Sequence, residues 1–160
     1  MIKMKILKNL VLCATIIFFS CDKDGEIIDI TNDCEFYDNI LSTCFYGTSG
    51  SEYDEIVFND NDSYQEFGDI VRIYPANLDC DTAQLRIIDF NNYTLLSNRT
   101  SGGGCSATYH RKVLKDTEHK KIIYEIEVIY EGTCEMLLGS RNWAIVPKIP
   151  DDYIVDFVLK

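Results

Sequence analysis

The sequence has few histidines and few basic residues, and both shortages exclude functions. It contains 2 histidines in 160 residues and no Gly-x-Ser-x-Gly motif, so the usual machinery of a hydrolase is missing. The 15 Lys and Arg residues are outnumbered by 26 Asp and Glu residues, which gives a formal net charge of -11. Because nucleic-acid binding takes its affinity from basic side chains, we exclude nucleic acid as a partner.

Metal-site spacing and a long apolar segment are also missing. No pair of the 7 cysteines has the Cys-x-x-Cys spacing that is typical of zinc sites, so we expect no metal and no cofactor. The longest largely apolar run covers residues 10–19, whereas a membrane-spanning helix needs about 20 residues. The run therefore predicts a cleaved targeting peptide rather than a permanent membrane anchor.

The amino terminus resembles a bacterial lipoprotein signal peptide. Three lysines precede the apolar run, and the segment Phe18–Cys21 resembles the lipobox at which such peptides are cleaved. The resemblance implies that residues 1–20 are removed and that Cys21 becomes the lipid-bearing first residue, which joins the protein to the membrane. The segment Cys21–Glu26 is similar to the export signal of Bacteroidota lipoproteins, which implies an outer-membrane protein that faces the cell exterior.

The mature chain is long enough for one domain with its own core. Removal of 20 residues leaves 140, an ordinary size for a single domain. Residues 21–33 predict a lipidated cysteine and a flexible tether, and residues 34–160 a single β-rich domain. The discarded peptide holds 3 of the 15 basic residues, so 12 remain against 26 acidic ones and the net charge becomes -14. This acidity is typical of a soluble surface, and recruitment of cations or basic partners is the alternative interpretation.

The hydrophobic periodicity predicts a mainly β (α+β) domain. In residues 122–130 the apolar side chains alternate with Glu125 and Glu127, as in a sheet with one buried face. The Ser63-x-x-Glu66 capping box and apolar residues at helical spacing predict one helix over 63–72. Strands are predicted over 55–58, 85–90, 93–97, 106–114, 121–130, 143–147 and 153–159. We therefore predict an antiparallel β-sandwich or open barrel with one short helix.

Five cysteines of the mature domain are candidates for disulfides in an exported protein: Cys34, Cys44, Cys80, Cys105 and Cys134. Their odd number leaves at least one free thiol or one intermolecular bridge. We predict a bridge between Cys105 and Cys134, with a second bridge drawn from the other three. A hairpin turn at 116–119 pairs residue 105 with residue 130, so Cys134 reaches Cys105 only if the chain folds back at Gly132.

A glycine-rich segment and one threonine are candidate sites. The segment consists of Ser101, Gly102, Gly103 and Gly104, and no Lys-Ser or Lys-Thr pair follows it, which excludes a P-loop. We predict an exposed turn that serves as a binding loop for a surface protein or glycan. Thr82 lies in an Asp-Thr-Ala sequence that is similar to the O-glycosylation acceptor pattern of exported Bacteroidota proteins.

Two glutamates leave an enzyme as the alternative function. Glu125 and Glu127 lie on one face of a predicted strand about 7 Å apart, within the range for an inverting glycosidase. A pocket lined by both carboxylates and by aromatic side chains would favour glycan or peptide processing. A flat, open sheet face would favour binding. We assign no catalytic residue beyond this hypothesis, because strand glutamates are usually solvated.

The order of elements over residues 53–159 resembles a family of accessory domains. The segments Ile88–Phe90, Tyr93–Leu96, Thr100–Cys105 and Val146–Pro150 are similar to the small domains related to the C-terminal part of the protease-complex subunit PrcB. This resemblance implies an accessory, protein-binding β domain without catalytic residues. The glycine-rich turn also resembles the inhibitor loops of chagasin-like proteins, which adds a protease-inhibitor-like domain as an alternative. We therefore predict a non-catalytic binding or accessory module of the cell surface.

Overall fold

The computed structural model describes residues 25–38, 40–41, 54–72 and 84–160. Four candidate residues lie outside these ranges: Cys21, Cys44, Cys80 and Thr82. The described elements are β1 (Ile27–Asp29), a 3-10 helix (Thr31–Asp33), β2 (Glu35–Tyr37), β3 (Glu55–Phe58), α1 (Asn61–Val71), β4 (Tyr93–Gly103), β5 (Ser106–Asp116), β6 (Lys121–Glu131), β7 (Leu137–Pro147) and β8 (Ile154–Leu159).

The strands form two four-stranded sheets. Sheet 1 has the order β1-β5-β6-β8, and sheet 2 has the order β2-β7-β4-β3. All pairs are antiparallel except β6 with β8, which run parallel. The described strands thus form two separate sheets, and neither sheet closes into a barrel. The predicted mainly β class is confirmed, and the architecture is that of a β-sandwich.

Strands β4 to β7 form one long antiparallel ribbon that is folded in half. In one half β5 pairs with β6 from Ser106↔Glu131 to Asp116↔Lys121, and in the other half β4 pairs with β7 over eleven residues each. Residues 104–105 and 132–136 connect the halves. Because the ribbon folds at these connections, its two halves become the central strands of the two sheets and pack face to face.

Over residues 94–98 and 142–146 sheet 2 is buried on both faces, which gives the domain three layers. Its inner face packs against sheet 1 through Leu96, Ala144, Val146, Val113, Ile122, Tyr124 and Ile126. Its outer face packs against α1 and residues 85–90 through Leu95, Trp143, Ile145, Phe58, Tyr64, Phe67, Leu85, Ile88 and Phe90. The layers are therefore sheet 1, sheet 2 and the helix, and the outer face of sheet 1 remains on the surface.

The helix prediction is confirmed with an earlier start. The helix begins at Asn61 rather than residue 63, because the Asp60 carboxylate accepts a hydrogen bond of 2.8 Å from the backbone N–H of Ser63. The cap thus lies one turn before the predicted capping box. Of the four apolar residues at helical spacing, Tyr64, Phe67 and Val71 are buried, whereas Ile70 is 51% exposed.

The strand predicted over residues 85–90 is wrong. This segment is irregular, with Leu85 and Ile88 buried against the helix side and Ile87 92% exposed. It ends in a turn in which the Asp89 carboxylate accepts hydrogen bonds from the Asn91 N–H and the Asn92 side chain. Side chains three residues apart enter the core here, which does not match the alternation of a strand.

The flexible tether predicted over residues 21–33 is wrong in its last part. Ile27–Asp29 form β1 and pair with the edge of β5, and residues 31–33 form the 3-10 helix. The short β2 was also not predicted. Three-residue strands carry too little periodicity to be recognised, and these two depend on neighbours far away in the sequence.

Candidate functional site

The glycine-rich segment is mostly strand rather than an exposed turn. Ser101, Gly102 and Gly103 belong to β4 and pair with Gly139, Leu138 and Leu137 of β7. Only residues 104–105 form the connection to β5, and Gly104 is buried, with its N–H donating to the Met136 carbonyl at 3.1 Å. The predicted turn is therefore wrong for residues 101–103, since glycines extend a strand when a partner strand completes the hydrogen bonds.

The candidate binding-loop residues divide between two faces of sheet 2. Gly102 points between the sheets, where a Cβ atom would overlap the Tyr130 ring. Gly103 points outward, and its nearest neighbour for a Cβ atom is 4.0 Å away. Because side chains alternate along a strand, Ser101 shares the outward face with Gly103. The segment thus contributes small groups to an open surface on the helix side of sheet 2.

Six residues on this outward side form a surface that we name the arginine face. They are the cross-strand pairs Arg99 with Arg141, Ser101 with Gly139, and Gly103 with Leu137. The surface continues the outer face of sheet 2 beyond the part that α1 covers. Leu137 is 80% exposed, so the end of the surface is apolar and open. Its middle carries only small groups.

The two arginines of this face lie directly opposite each other. The Arg141 Nη1 donates to Ser97 Oγ at 3.1 Å, and its guanidinium lies 5.6 Å from the Phe67 ring centroid and 5.9 Å from that of Trp143. Burial and the positive charge of Arg99 lower the pKa of Arg141, and Asp54 acts in the opposite direction. Arg141 is thus held in place beside an exposed second cation.

Arg99 has no carboxylate partner within the part of the chain that the structure describes. Its side chain is exposed, and its backbone N–H donates to the Asp54 carbonyl at 2.9 Å. No pattern in the sequence indicates either arginine as a site residue. No local pattern could have done so, because the pair is created by the register between strands about 40 residues apart.

The predicted disulfide between Cys105 and Cys134 is present in the structure. The two Cα atoms lie 4.9 Å apart, within the range that a bridge requires. Gly132 has a φ of 83°, so the chain folds back at the residue that the sequence indicated. The bridge lies at the connection between the two halves of the ribbon.

The register predicted for this hairpin is wrong by two residues. Asp116 pairs with Lys121, so the turn consists of residues 117–120, and residue 105 lies opposite residue 132. Lys120 takes a positive φ of 51° in this turn. Asp116 ends the strand by accepting hydrogen bonds from the backbone N–H groups of Glu118 and His119. Cys134 is therefore two rather than four residues out of register.

Cys34 is a free thiol that packs at the edge of the core between the two sheets, here called the inner core. Its sulfur lies 3.2 Å from the Ile30 carbonyl oxygen, to which the thiol donates. Burial raises the pKa of Cys34 to about 12, and the charges of Asp33 and Asp29 add to this shift. Cys34 is therefore not part of the predicted second bridge, and the other two candidates, Cys44 and Cys80, lie outside the described residues.

Glu125 and Glu127 line one shallow cavity on the outer face of sheet 1. The cavity has a volume of about 420 Å³ and is lined by Asp29, Thr31, Asn32, His110, Arg111, Lys112, Glu125, Glu127 and Lys160. Lys160 forms an ion pair of 2.8 Å with Glu125. The lining includes both carboxylates but no aromatic side chain. One of the two conditions stated for an enzyme is therefore met and the other is not.

Arg111 joins the two sheets near this cavity. Its side chain is 10% exposed, and Nε and Nη2 donate to Asn142 Oδ1 at 3.0 and 2.7 Å. Nη2 also forms an ion pair with Asp38, and Asn142 donates to Thr100 Oγ1 at 3.0 Å. These bonds connect β5 to β7 and β4, so the cation is part of the packing between the sheets.

In the described ranges, no group of three or more His, Cys, Asp or Glu side chains could hold a metal ion. No helix in these ranges is long and apolar enough to cross a membrane. Comparison with protein-family models, with curated proteins and with solved structures found no match for this chain. The resemblances to exported lipoproteins and to the protease-complex subunit therefore stay predictions.

Proposed function

We propose that this protein is a lipid-anchored, non-catalytic binding module of the outer-membrane surface, and that the arginine face receives its partner. The supporting observation is that the amino-terminal end of the domain and the arginine face lie toward opposite ends of the folded ribbon. A lipid on Cys21 would hold the first end at the membrane. The second end would then be displayed to the exterior.

The position of the amino-terminal end of the domain follows from the pairing of β1. Ile27 pairs with Asp116, and Glu26 and Thr117 exchange hydrogen bonds with each other. The chain thus enters the domain beside the turn at residues 117–120. Cys21 lies only four residues before Gly25, a reach of about 14 Å at most. A lipid on Cys21 would place this turn close to the membrane.

The distance of the arginine face from that end follows from the length of the ribbon. Each central strand has eleven residues, which corresponds to about 35 Å at a rise of about 3.3 Å per residue. The connection at residues 104–105 therefore lies about 35 Å from the turn. Gly103 and Leu137 adjoin that connection, so the apolar end of the arginine face would point away from the membrane.

Photocrosslinking on intact cells of the native host tests this proposal. A photoreactive amino acid in place of Ser101 should crosslink a surface partner upon illumination. Thr108 is the matched control, because it is also exposed and lies close to the connection, but on the outer face of sheet 1. Equal crosslinking from both positions, or none from Ser101, would contradict a binding site on the arginine face.

Two measurements test the anchoring. Mass spectrometry of the membrane-extracted protein should find a diacylglyceryl-modified Cys21 as its first residue. Protease added to whole cells should digest the domain if it faces the exterior. A mature chain that begins at another residue would contradict the lipid anchor, and a domain digested only in lysates would contradict surface exposure.

The enzyme hypothesis at the two-carboxylate cavity has its own test. If the cavity processes glycans or peptides, the purified protein should hydrolyse a member of an oligosaccharide or peptide panel. Glu125→Gln and Glu127→Gln should each abolish that hydrolysis. Absence of hydrolysis across the panel, or hydrolysis that both variants retain, would contradict this hypothesis.

A further inference from the structure

We propose that the open edge of β8 binds an extended segment of a partner protein in which apolar residues alternate with basic ones, and that this segment adds a strand to sheet 1. β8 is the terminal strand of sheet 1, whereas the arginine face belongs to sheet 2, so this second surface does not depend on the proposed function. Three features of β8 support it: unpaired backbone groups, apolar side chains and negative charge nearby.

Every second residue of β8 turns its backbone polar groups away from β6. The two strands run parallel, and the Ile154 N–H donates to the Lys120 carbonyl at 3.0 Å. Because the hydrogen-bonding direction alternates along a strand, the N–H and C=O groups of Val155, Phe157 and Leu159 point to the opposite edge. None of the described strands lies on that edge. A partner strand would therefore find a row of free donors and acceptors there.

β8 lacks the features with which proteins protect the edges of their sheets. Short strands, charged residues and prolines keep other chains from pairing with an edge. The other terminal strands of the two sheets, β1, β2 and β3, have three or four residues, whereas β8 has six. Five of the six are apolar, and the charged one, Asp156, forms an ion pair with Lys121 at 2.7 Å. An edge of this kind is a template for another strand.

The side chains of β8 indicate what the partner strand presents. Val155 and Phe157 pack against the inner core, where the Phe157 ring meets the Tyr124 ring at a centroid distance of 6.1 Å. Leu159 lies on the same side of the strand and is 54% exposed, and Ile154 on the other side is 55% exposed. A partner with an apolar residue at every second position would cover the inward side and extend the inner core.

The charge around β8 favours basic residues between the apolar ones. Asp151 and Asp152 precede the strand and are exposed, and the side chain of Asp156 is 42% exposed on its outward side. Lys120 and Lys121 form ion pairs with two of these carboxylates, but the whole chain has a net charge of -11. This charge attracts a basic segment and repels a second copy of the chain. We therefore assign the edge to a partner protein.

Fluorescence anisotropy with a defined peptide tests the assignment. The probe is fluorescein-labelled Gly-Lys-Val-Lys-Val-Lys-Val-Gly, and the protein is the full chain extracted from membranes in detergent. We expect saturable binding, and binding at least about tenfold weaker for a probe with Glu in place of each Lys, because the attraction becomes repulsion. A probe with Ser in place of each Val should also bind at least about tenfold more weakly.

Two N-methylated probes test whether the peptide binds as a strand. One carries the methyl groups on its three Val residues and the other on its three Lys residues. Since only alternate N–H groups of an added strand face β8, one probe should lose binding and the other should keep it. The probe that loses binding also reports whether the added strand runs parallel or antiparallel. Binding kept by both probes, or lost by both, would contradict strand addition.

Hydrogen exchange followed by NMR gives a second readout. In the free protein the amides of Val155, Phe157 and Leu159 should exchange faster than those of Asp156 and Val158, because only the latter two donate to β6. Saturation with unlabelled probe should slow the first three by at least about tenfold and change the other two less than about twofold.

Three variants locate the binding. Leu159→Pro removes an N–H that points to the open edge, so sheet 1 loses no hydrogen bond, and the affinity should decrease at least about tenfold. Leu159→Thr keeps that N–H and removes the apolar contact, so the affinity should decrease about threefold and the edge is tested even if the proline variant unfolds. Leu137→Thr is the matched control: this leucine is 80% exposed but lies in sheet 2. It should change the affinity less than about twofold.

Four outcomes would overturn the assignment. Unchanged affinity in both variants at Leu159, or equal binding of the Glu probe, would exclude the edge or the basic partner. Slow exchange of all three edge amides in the free monomeric protein would mean that another segment of this chain occupies the edge. A dimer in sedimentation velocity that the unlabelled probe dissociates would mean that a second copy occupies it.

Discussion

The two halves of the folded ribbon have the same length and the same antiparallel pairing, but they differ in burial. In the β4–β7 half, residues 94–98 and 142–146 are all buried. In the β5–β6 half, burial alternates along β6, and the outward residues stay on the surface. The difference arises because α1 and residues 85–90 cover the outer face of sheet 2 only. Strand pairing therefore does not decide how much of a strand is buried.

The largest expected effect is the loss of packing in the core between sheet 2 and the helix. Trp143 is 0% exposed and packs against Phe58 and Phe67 on the helix side of sheet 2. Trp143→Ala should lower the free energy of unfolding by about 3 to 5 kcal/mol in urea denaturation. Ile129→Ala, on the outer face of sheet 1, should cost about 0.5 kcal/mol or less. Similar losses in both variants would contradict the difference between the halves.

The next effect concerns the connection between the halves. Replacement of Cys105 and Cys134 by serine should lower the free energy of unfolding by about 3 to 4 kcal/mol in the chain-entropy model, because a 30-residue loop is no longer closed. Urea denaturation of the double variant measures this. Non-reducing peptide mapping is the control and should recover the two cysteines as one linked pair. Recovery of Cys105 linked to Cys80 would contradict the bridge.

A smaller effect is expected at the edge of the inner core. Cys34→Ser should cost about 1 kcal/mol or less, because the hydroxyl can still donate to the Ile30 carbonyl. With a thiol pKa of about 12, native Cys34 should resist alkylation at pH 8 and react after unfolding in urea. Mass spectrometry of the Cys34 peptide measures the labelling. Equally fast labelling in the native protein would show that the inner core is open there.

The smallest effect concerns the turn of the exposed half. Hydrogen bonds from His119 and Glu118 lower the pKa of Asp116 below its usual range. A lowered folded-state pKa stabilises the protein above the unfolded pKa of about 3.9, and this stability is lost as the pH falls through the folded value. Urea midpoints of the native protein should therefore decrease more steeply below about pH 4 than those of Asp116→Asn.

The control for this pH dependence is Asp151→Asn. The Asp151 residue is exposed, and no hydrogen bond to its carboxylate is present in the described ranges. Its profile should follow that of the native protein. Parallel profiles for all three proteins would show that the Asp116 hydrogen bonds do not stabilise the turn.

The sequence by itself determined the features that depend on neighbouring residues. Alternation in residues 122–130 predicted the buried face of β6, helical spacing predicted the buried Tyr64 and Phe67, and Gly132 predicted the point where the chain folds back to the disulfide. Each of these patterns follows from the period of a single element or from the conformational freedom of one glycine. They did not require knowledge of which strands lie side by side.

Only the tertiary structure decided the candidate site. The pairing of Arg99 with Arg141 depends on the register between β4 and β7, and the open space at Gly103 and Gly139 depends on where α1 ends its cover of sheet 2. The glycine-rich segment became a strand because β7 supplied hydrogen-bonding partners. These outcomes depend on contacts between residues far apart in the chain, and a local sequence pattern carries no information about such contacts.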